Sequence, residues 1–276
     1  MTRFFLAMTL AALAAAIPTQ AGSIPLVVPL LQTGYHQMYD LEFDKAHETF
    51  AEAQRQRPDD PLSHVSNAGA YLFAEFDRLN ILQSEFFVND DHFKHAKRLS
   101  PDPAVRQAFD AELAKSEQLA NGILARSPED PDALFANILS MGLRADYMAL
   151  IDKRYMDSLR VIKNSRATAE KLLAIAPDYY DAYLAIGVEN YMLSLKAAPV
   201  RWLLELGGAQ VDRERGIQDL RLTAEKGQYL SPYARLLLAV AALRNKDRAQ
   251  ARDLLGALVR EFPHNKLYSE ELARLQ

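Results

Sequence analysis

The 276-residue sequence contains no cysteine. That excludes disulfides, thiolate zinc centres, iron–sulfur clusters and cysteine nucleophiles. It has no surplus of positive charge: 32 Lys and Arg stand against 36 Asp and Glu, a net charge of −4. A basic footprint is therefore absent, which argues against nucleic acid as the main partner. The sequence also lacks a G-x-S-x-G elbow, a Walker loop, a G-x-G-x-x-G turn and an H-E-x-x-H pair, so the common nucleophile, phosphate and zinc-hydrolase signatures are missing. Period-two alternation is missing too, and strands are expected to be near absent. Beyond the N-terminus no run approaches the roughly 18 apolar residues of a spanning helix.

What remains is an apolar content of 49% with 25% charged residues, ample for a folded core. Residues 1–21 read as a secretory signal peptide. Arg3 is followed by the apolar run Phe4 to Ile17, and Thr19-Gln20-Ala21 places small residues before Gly22. No cysteine follows to carry a lipid anchor. The expected product is a single domain, 22–276, that is periplasmic or secreted from a Gram-negative bacterium and has no integral membrane segment.

Three segments share one layout: Pro58-Asp59-Asp60-Pro61, Pro128-Glu129-Asp130-Pro131 and Pro177-Asp178-Tyr179-Tyr180. In each, the first proline ends an apolar-periodic helix. An acidic residue and a second proline or tyrosine then begin the next, because proline suits a first helical turn and acids complement the N-terminal dipole. Helices are expected at about 25–40, 43–57, 62–80, 104–127, 132–150, 153–175, 180–195, 199–206, 213–226, 232–244, 247–261 and 266–275. Asp247 is the expected cap of the penultimate helix.

Phe43-x2-Ala46-x3-Phe50-x2-Ala53-x4-Pro58 resembles the second helix of a tetratricopeptide repeat (TPR). Leu238-Ala239-x2-Ala242 followed by Ala251-x3-Leu255-x2-Leu258-x4-Pro263 resembles a whole unit. Tyr183, Ile186 and Gly187 stand where the motif has its aromatic, leucine and glycine, so Tyr183 is expected to be a core aromatic. The stretch 179–272, with Asp181 to Gly187, Asp212-Arg213-x2-Gly216-x3-Leu220 and Tyr229-Leu230-x-Pro232, resembles exported bacterial TPR proteins of unassigned function. It is more distantly similar to a eukaryotic TPR family of inclusion-body clearance. The repeat-ending prolines 58, 128, 177 and 263 are spaced 70, 49 and 86 apart, where a regular array has about 34. Insertions are expected near 81–103, 145–165 and 195–230. The implied architecture is all-α, with antiparallel TPR-like hairpins stacked in an irregular right-handed α-solenoid.

That resemblance implies a concave face lined by Leu62, Val65, Gly69 and Leu72, by Asp132, Phe135, Leu139 and Gly142, and by Asp181, Leu184, Val188 and Tyr191. The lining is apolar with two acids and has no Lys/Asn clamp for a terminal carboxylate. It suits an amphipathic helix from a partner, or the chain's own inserted segments near 81–103 or 199–206.

Asp91, His92 and His95 have the spacing of metal ligands on one helical face, although a solvated helix start explains them as well. The carboxylate pairs Glu75/Asp77, Asp146/Asp152 and Asp181/Glu189 fit solvated faces or i,i+4 pairs. Trp202, within the apolar stripe 200–206, fits a core or a docking surface. The expected function is an exported, non-enzymatic TPR-like scaffold without cofactors that binds a protein or peptide in the cell envelope. The alternative is a metal-binding protein or metal-dependent enzyme using the 90–95 cluster.

Overall fold

The computed structural model describes residues 27–81, 100–194 and 212–275. Among them it has eleven α-helices and no strand. They are α1 (Val27–Tyr39), α2 (Phe43–Gln56), α3 (Pro61–Arg78), α4 (Pro103–Leu124), α5 (Pro131–Asp146), α6 (Tyr155–Ile175), α7 (Tyr183–Ser194), α8 (Arg213–Lys226), α9 (Ser231–Arg244), α10 (Arg248–Glu261) and α11 (Lys266–Ala273). A π-helical turn, Tyr147–Ile151, extends α5, and a 3₁₀ turn, Tyr180–Ala182, precedes α7. The expected signal peptide, the Asp91/His92/His95 cluster, Trp202 and the helix expected at 199–206 lie outside the described residues.

The helix ends follow the acid–proline punctuation. Asp60, Asp102 and Asp130 each accept a hydrogen bond from a first-turn N–H, and Pro61, Pro103 and Pro131 follow them. Asp247 accepts from the Gln250 N–H and caps α10 as expected. Three helices stop through a left-handed residue that is not glycine: Leu41, Asn80 and Lys246, at φ 62°, 55° and 61°. At each, the next residue's N–H reaches back five positions, to Gln37, Phe76 and Ala242, the double hydrogen bonding of a Schellman motif.

Every described helix packs on the next described one, including α4 on α3 and α8 on α7, which follow across undescribed stretches. In addition α1 meets α3, and α3 meets α5. The core is apolar and aromatic, with Phe50, Phe76, Phe109, Phe135 and Phe262 fully buried. Helix α1 does more than begin this row. Its Tyr35 ring lies 5.2 Å from Tyr229, and its Tyr39 ring lies 5.9 Å from Phe262. Asp40 accepts from the backbone N–H of His264 at 2.8 Å and faces His264 Nδ1 at 2.7 Å, while Asn265 donates to the Tyr39 carbonyl at 2.7 Å. The first helix is thus bound to the last connections of the chain.

The stretch Pro131–Ile151 amends one expectation. It is long and apolar enough, by length and composition, to cross a membrane, and half of it is buried inside the fold. Leu134, Phe135 and Ile138 account for this: they are core residues, in a helix packed between α3, α4 and α6. The expectation for Tyr183 also changes. It is only partly buried, and its hydroxyl donates to the Pro177 carbonyl. The aromatic that seats against Phe135 is Tyr179, with rings 4.8 Å apart.

Helices α7 and α8 approach closely through two glycines. A Cβ at Gly216 would lie 2.8 Å from the Tyr191 nitrogen and 3.0 Å from the Gly187 carbonyl oxygen, and both are backbone atoms that cannot swing away. Gly216→Ala is therefore expected to destabilise by about 1–3 kcal/mol, because overpacking outweighs the helical gain of roughly 1 kcal/mol from removing a glycine. Gly122 sits in α4 with nothing within 4 Å of its Cβ position, so Gly122→Ala should instead stabilise by about 0.5–1 kcal/mol. Urea denaturation of the two variants checks the opposite signs.

Candidate functional site

Most of the concave positions border one of two spaces, which share Asp181 as a lining residue. The outer one, a mouth of about 220 Å³, is bordered by Leu62 of α3, Asp132 of α5, Tyr179 and Asp181 before α7, and Tyr229 before α9. Its exposed rim carries Arg57, Asp178, Lys226 and Gln228. The inner one, a cavity of about 100 Å³, is walled by α1, α3, α5, α6, α7 and α9. Asp181 borders both.

The acids at the mouth are committed to the fold. Asp181 is buried and accepts from three consecutive backbone N–H groups, those of Gln228 at 2.9 Å, Tyr229 at 3.1 Å and Leu230 at 2.8 Å. It ties the start of α7 to the link between α8 and α9. Burial raises its carboxyl above the usual range, even against those three donors. Asp132 is exposed and accepts from the Tyr179 hydroxyl at 3.0 Å. Asp60 is an N-cap.

The inner cavity is mostly apolar. Tyr35, Met38 and Tyr39 come from α1, Val65, Gly69 and Phe73 from α3, Leu184 and Val188 from α7, and Tyr233 from α9. The rings form a wall: Tyr39 meets Phe73 edge-on at 6.0 Å, and Phe73 meets Tyr233 at 5.6 Å. Into this lining α5 brings one acid, Asp146. Desolvation by the surrounding protein lifts its carboxyl to about 7.

No protein-family model matches the chain, and no curated protein is similar to it.

The residues read as concave from the sequence divide four ways. Leu62 and Asp132 border the mouth, Val65, Leu184 and Val188 border the cavity, and Asp181 borders both. Phe135 is fully buried between Tyr179 and Tyr229. Leu72 is buried in the main core, and Tyr191 in a smaller cluster with Leu220, Leu238 and Ala241. Leu72, Phe135 and Tyr191 are thus packing residues. Asp146 is the site residue that the concave set omits. Its signal was present, since 132, 135, 139 and 142 continue to 146 at helical spacing.

Two other polar groupings are closed by their own contacts. Asp40, Glu42 and His264 bring three ligand-type atoms within 4.8 Å of one another. There Asp40 is taken by His264, and Glu42 pairs with Lys45 at 2.6 Å. Between α3 and α4, Glu112 faces His64 Nδ1 at 2.6 Å and accepts from Asn67 at 2.8 Å. Burial works against its charge, but these partners hold its carboxyl below the usual range.

Proposed function

We propose that this chain is a non-enzymatic binding protein of TPR-like hairpins, acting in the cell envelope after export. We further propose that it takes the end or a narrow segment of a protein partner at the mouth of its concave face. The observation that carries this reading is the convergence of Leu62, Val65, Asp132, Asp181, Leu184 and Val188 on two spaces that share Asp181 as a lining residue. The width of the inner space selects the kind of partner. Tyr35, Tyr39, Phe73 and Tyr233 fill the centre, and a helix with its side chains is about 10 Å across. The space these residues leave, about 100 Å³ and open to solvent, is too small for the body of an amphipathic helix to enter, so such a helix would have to lie across its opening. A chain terminus or a single long side chain fits, and the mixed-charge rim offers polar contacts around it.

The test is site-specific photo-crosslinking in the native host. A benzophenone amino acid at Arg57 or Gln228, both on the rim, is expected to capture the same partner. The same probe at the exposed Arg160 on α6 should not. Capture only from Arg160 would remove the mouth as the docking site, and no capture from any position would count against the scaffold itself.

A further inference from the structure

We infer that the inner cavity is a binding site for a small organic cation, a primary ammonium on a compact apolar body, held by the Asp146 carboxylate against the Tyr39–Phe73–Tyr233 wall. The cavity is also the space into which the proposed partner's terminus or side chain would reach, and it shares Asp181 with the mouth; amine titration of the isolated chain tests this inference with no partner present, so its failure is distinguishable from failure of the docking proposal.

The argument begins with what Asp146 lacks. Asp146 is partly buried, whereas most of the fully buried acids are answered: Asp40 by His264, Asp60 by the Leu62 N–H, Glu75 by Arg78, Asp181 by three backbone N–H groups, and Glu189 by Arg166; Asp219, away from this cavity, keeps one oxygen without a partner. Among the described residues Asp146 has no hydrogen-bond or ion-pair partner, and neither do the hydroxyls of Tyr39 and Tyr233. Asp146 and Tyr233 are partly buried and line the cavity, so these polar groups face that space with no protein donor, and an N–H cation entering it would meet a carboxylate in mostly apolar surroundings. Among the described residues no Lys, Arg or His borders the cavity, and the titratable groups that line it with Asp146 are Tyr35, Tyr39, Tyr233 and Asp181.

The chemistry selects the ligand. A carboxylate asks for a cation, and phenolic oxygens accept from N–H donors. The faces of aromatic rings, which carry the negative end of the quadrupole, favour a cation within about 6 Å of a centroid, and Tyr39, Phe73 and Tyr233 bring three rings to this cavity. A primary ammonium meets all of these, because it carries three N–H donors, whereas a quaternary ammonium carries none. The volume sets the body: a cavity of about 150 Å³ accepts benzene, so a space of about 100 Å³ takes a branched chain of four or five carbons. Burial also holds Asp146 in its protonated form up to about pH 7, so binding should tighten as the solution is made mildly alkaline, while an aliphatic amine stays charged throughout.

The experiment is isothermal titration of the whole chain with isobutylamine and with isobutanol, near pH 8 and near pH 5.5. Isobutylamine should bind at least tenfold more tightly than isobutanol near pH 8, and lose most of that preference near pH 5.5. Asp146→Asn should abolish the preference while circular dichroism shows the helices intact, and Phe73→Leu should weaken amine binding with the carboxylate still present. Equal binding of amine and alcohol, an unchanged preference in Asp146→Asn, or no amine binding at millimolar concentration would each overturn the inference. The wild-type pH comparison decides the matter even if the variants fold poorly.

Discussion

Asp181→Ala is expected to destabilise the protein by about 3–5 kcal/mol. The side chain is 3% exposed and is the acceptor for the Gln228, Tyr229 and Leu230 N–H groups. Tyr229 and Leu230 are themselves buried, so water does not replace the lost acceptor, and each orphaned N–H costs roughly 1–3 kcal/mol. Relief of the desolvated carboxylate offsets part of this. Asp181→Asn keeps one acceptor oxygen in place and should recover about half of the loss. Urea denaturation measures both. A loss below about 1 kcal/mol in the alanine variant would mean that the link between α8 and α9 is held by packing alone.

A second large effect is conditional on pH. Asp146 titrates near 7 in the folded chain, against about 3.9 when unfolded. The folded pKa is the higher one, so the folded state binds the extra proton between these values. Stability is therefore full below about pH 4 and falls as the pH rises through about 7. At one pKa unit per 1.36 kcal/mol, the deprotonated acid costs up to about 4 kcal/mol above that range. Asp146→Asn removes the titration. It should match the wild type near pH 4, pull ahead steadily up to about pH 7, and exceed it by a constant margin near pH 8.5, with a melting temperature higher by roughly 10 °C at the alkaline end. Comparing the slopes against pH separates the ionisation from any change in packing. Parallel slopes for the two proteins would show that Asp146 is solvated after all.

Local punctuation made most of the helices readable in advance. Asp-Pro at 60–61 and 130–131, and Asp247, announce helix starts by supplying an acceptor for first-turn N–H groups and a residue pre-set in φ, and these are properties of two or three adjacent residues. Val65, Leu184 and Val188 were readable as partners in one space because helical spacing and the repeat resemblance put them on equivalent faces. The use of Asp181 was not readable. A carboxylate that serves backbone groups 47 to 49 residues away looks, in sequence, like any acid beginning a helix. Asp146 was hidden for a different reason. Read beside Asp152 it is an ordinary acidic pair, and only extending the 132–142 series by one more turn brings it to the concave face. Tyr35 and Tyr39 sit in a helix that was expected, but their aromatic partners belong to connections near the other end of the chain.

The bond between Asp40 and His264, with Asn265 on the Tyr39 carbonyl, changes how the molecule should come apart. In an open row of hairpins each unit answers only to its neighbours, and the outermost units loosen first while the middle holds. Here loosening the first helix breaks contacts at the last connection, 224 residues later in the chain. Neither the first nor the last described helix is a weak point that can be lost cheaply. A disturbance at one terminus is felt at the other without passing through the hairpins between, so the chain gives way as one cooperative body rather than by peeling.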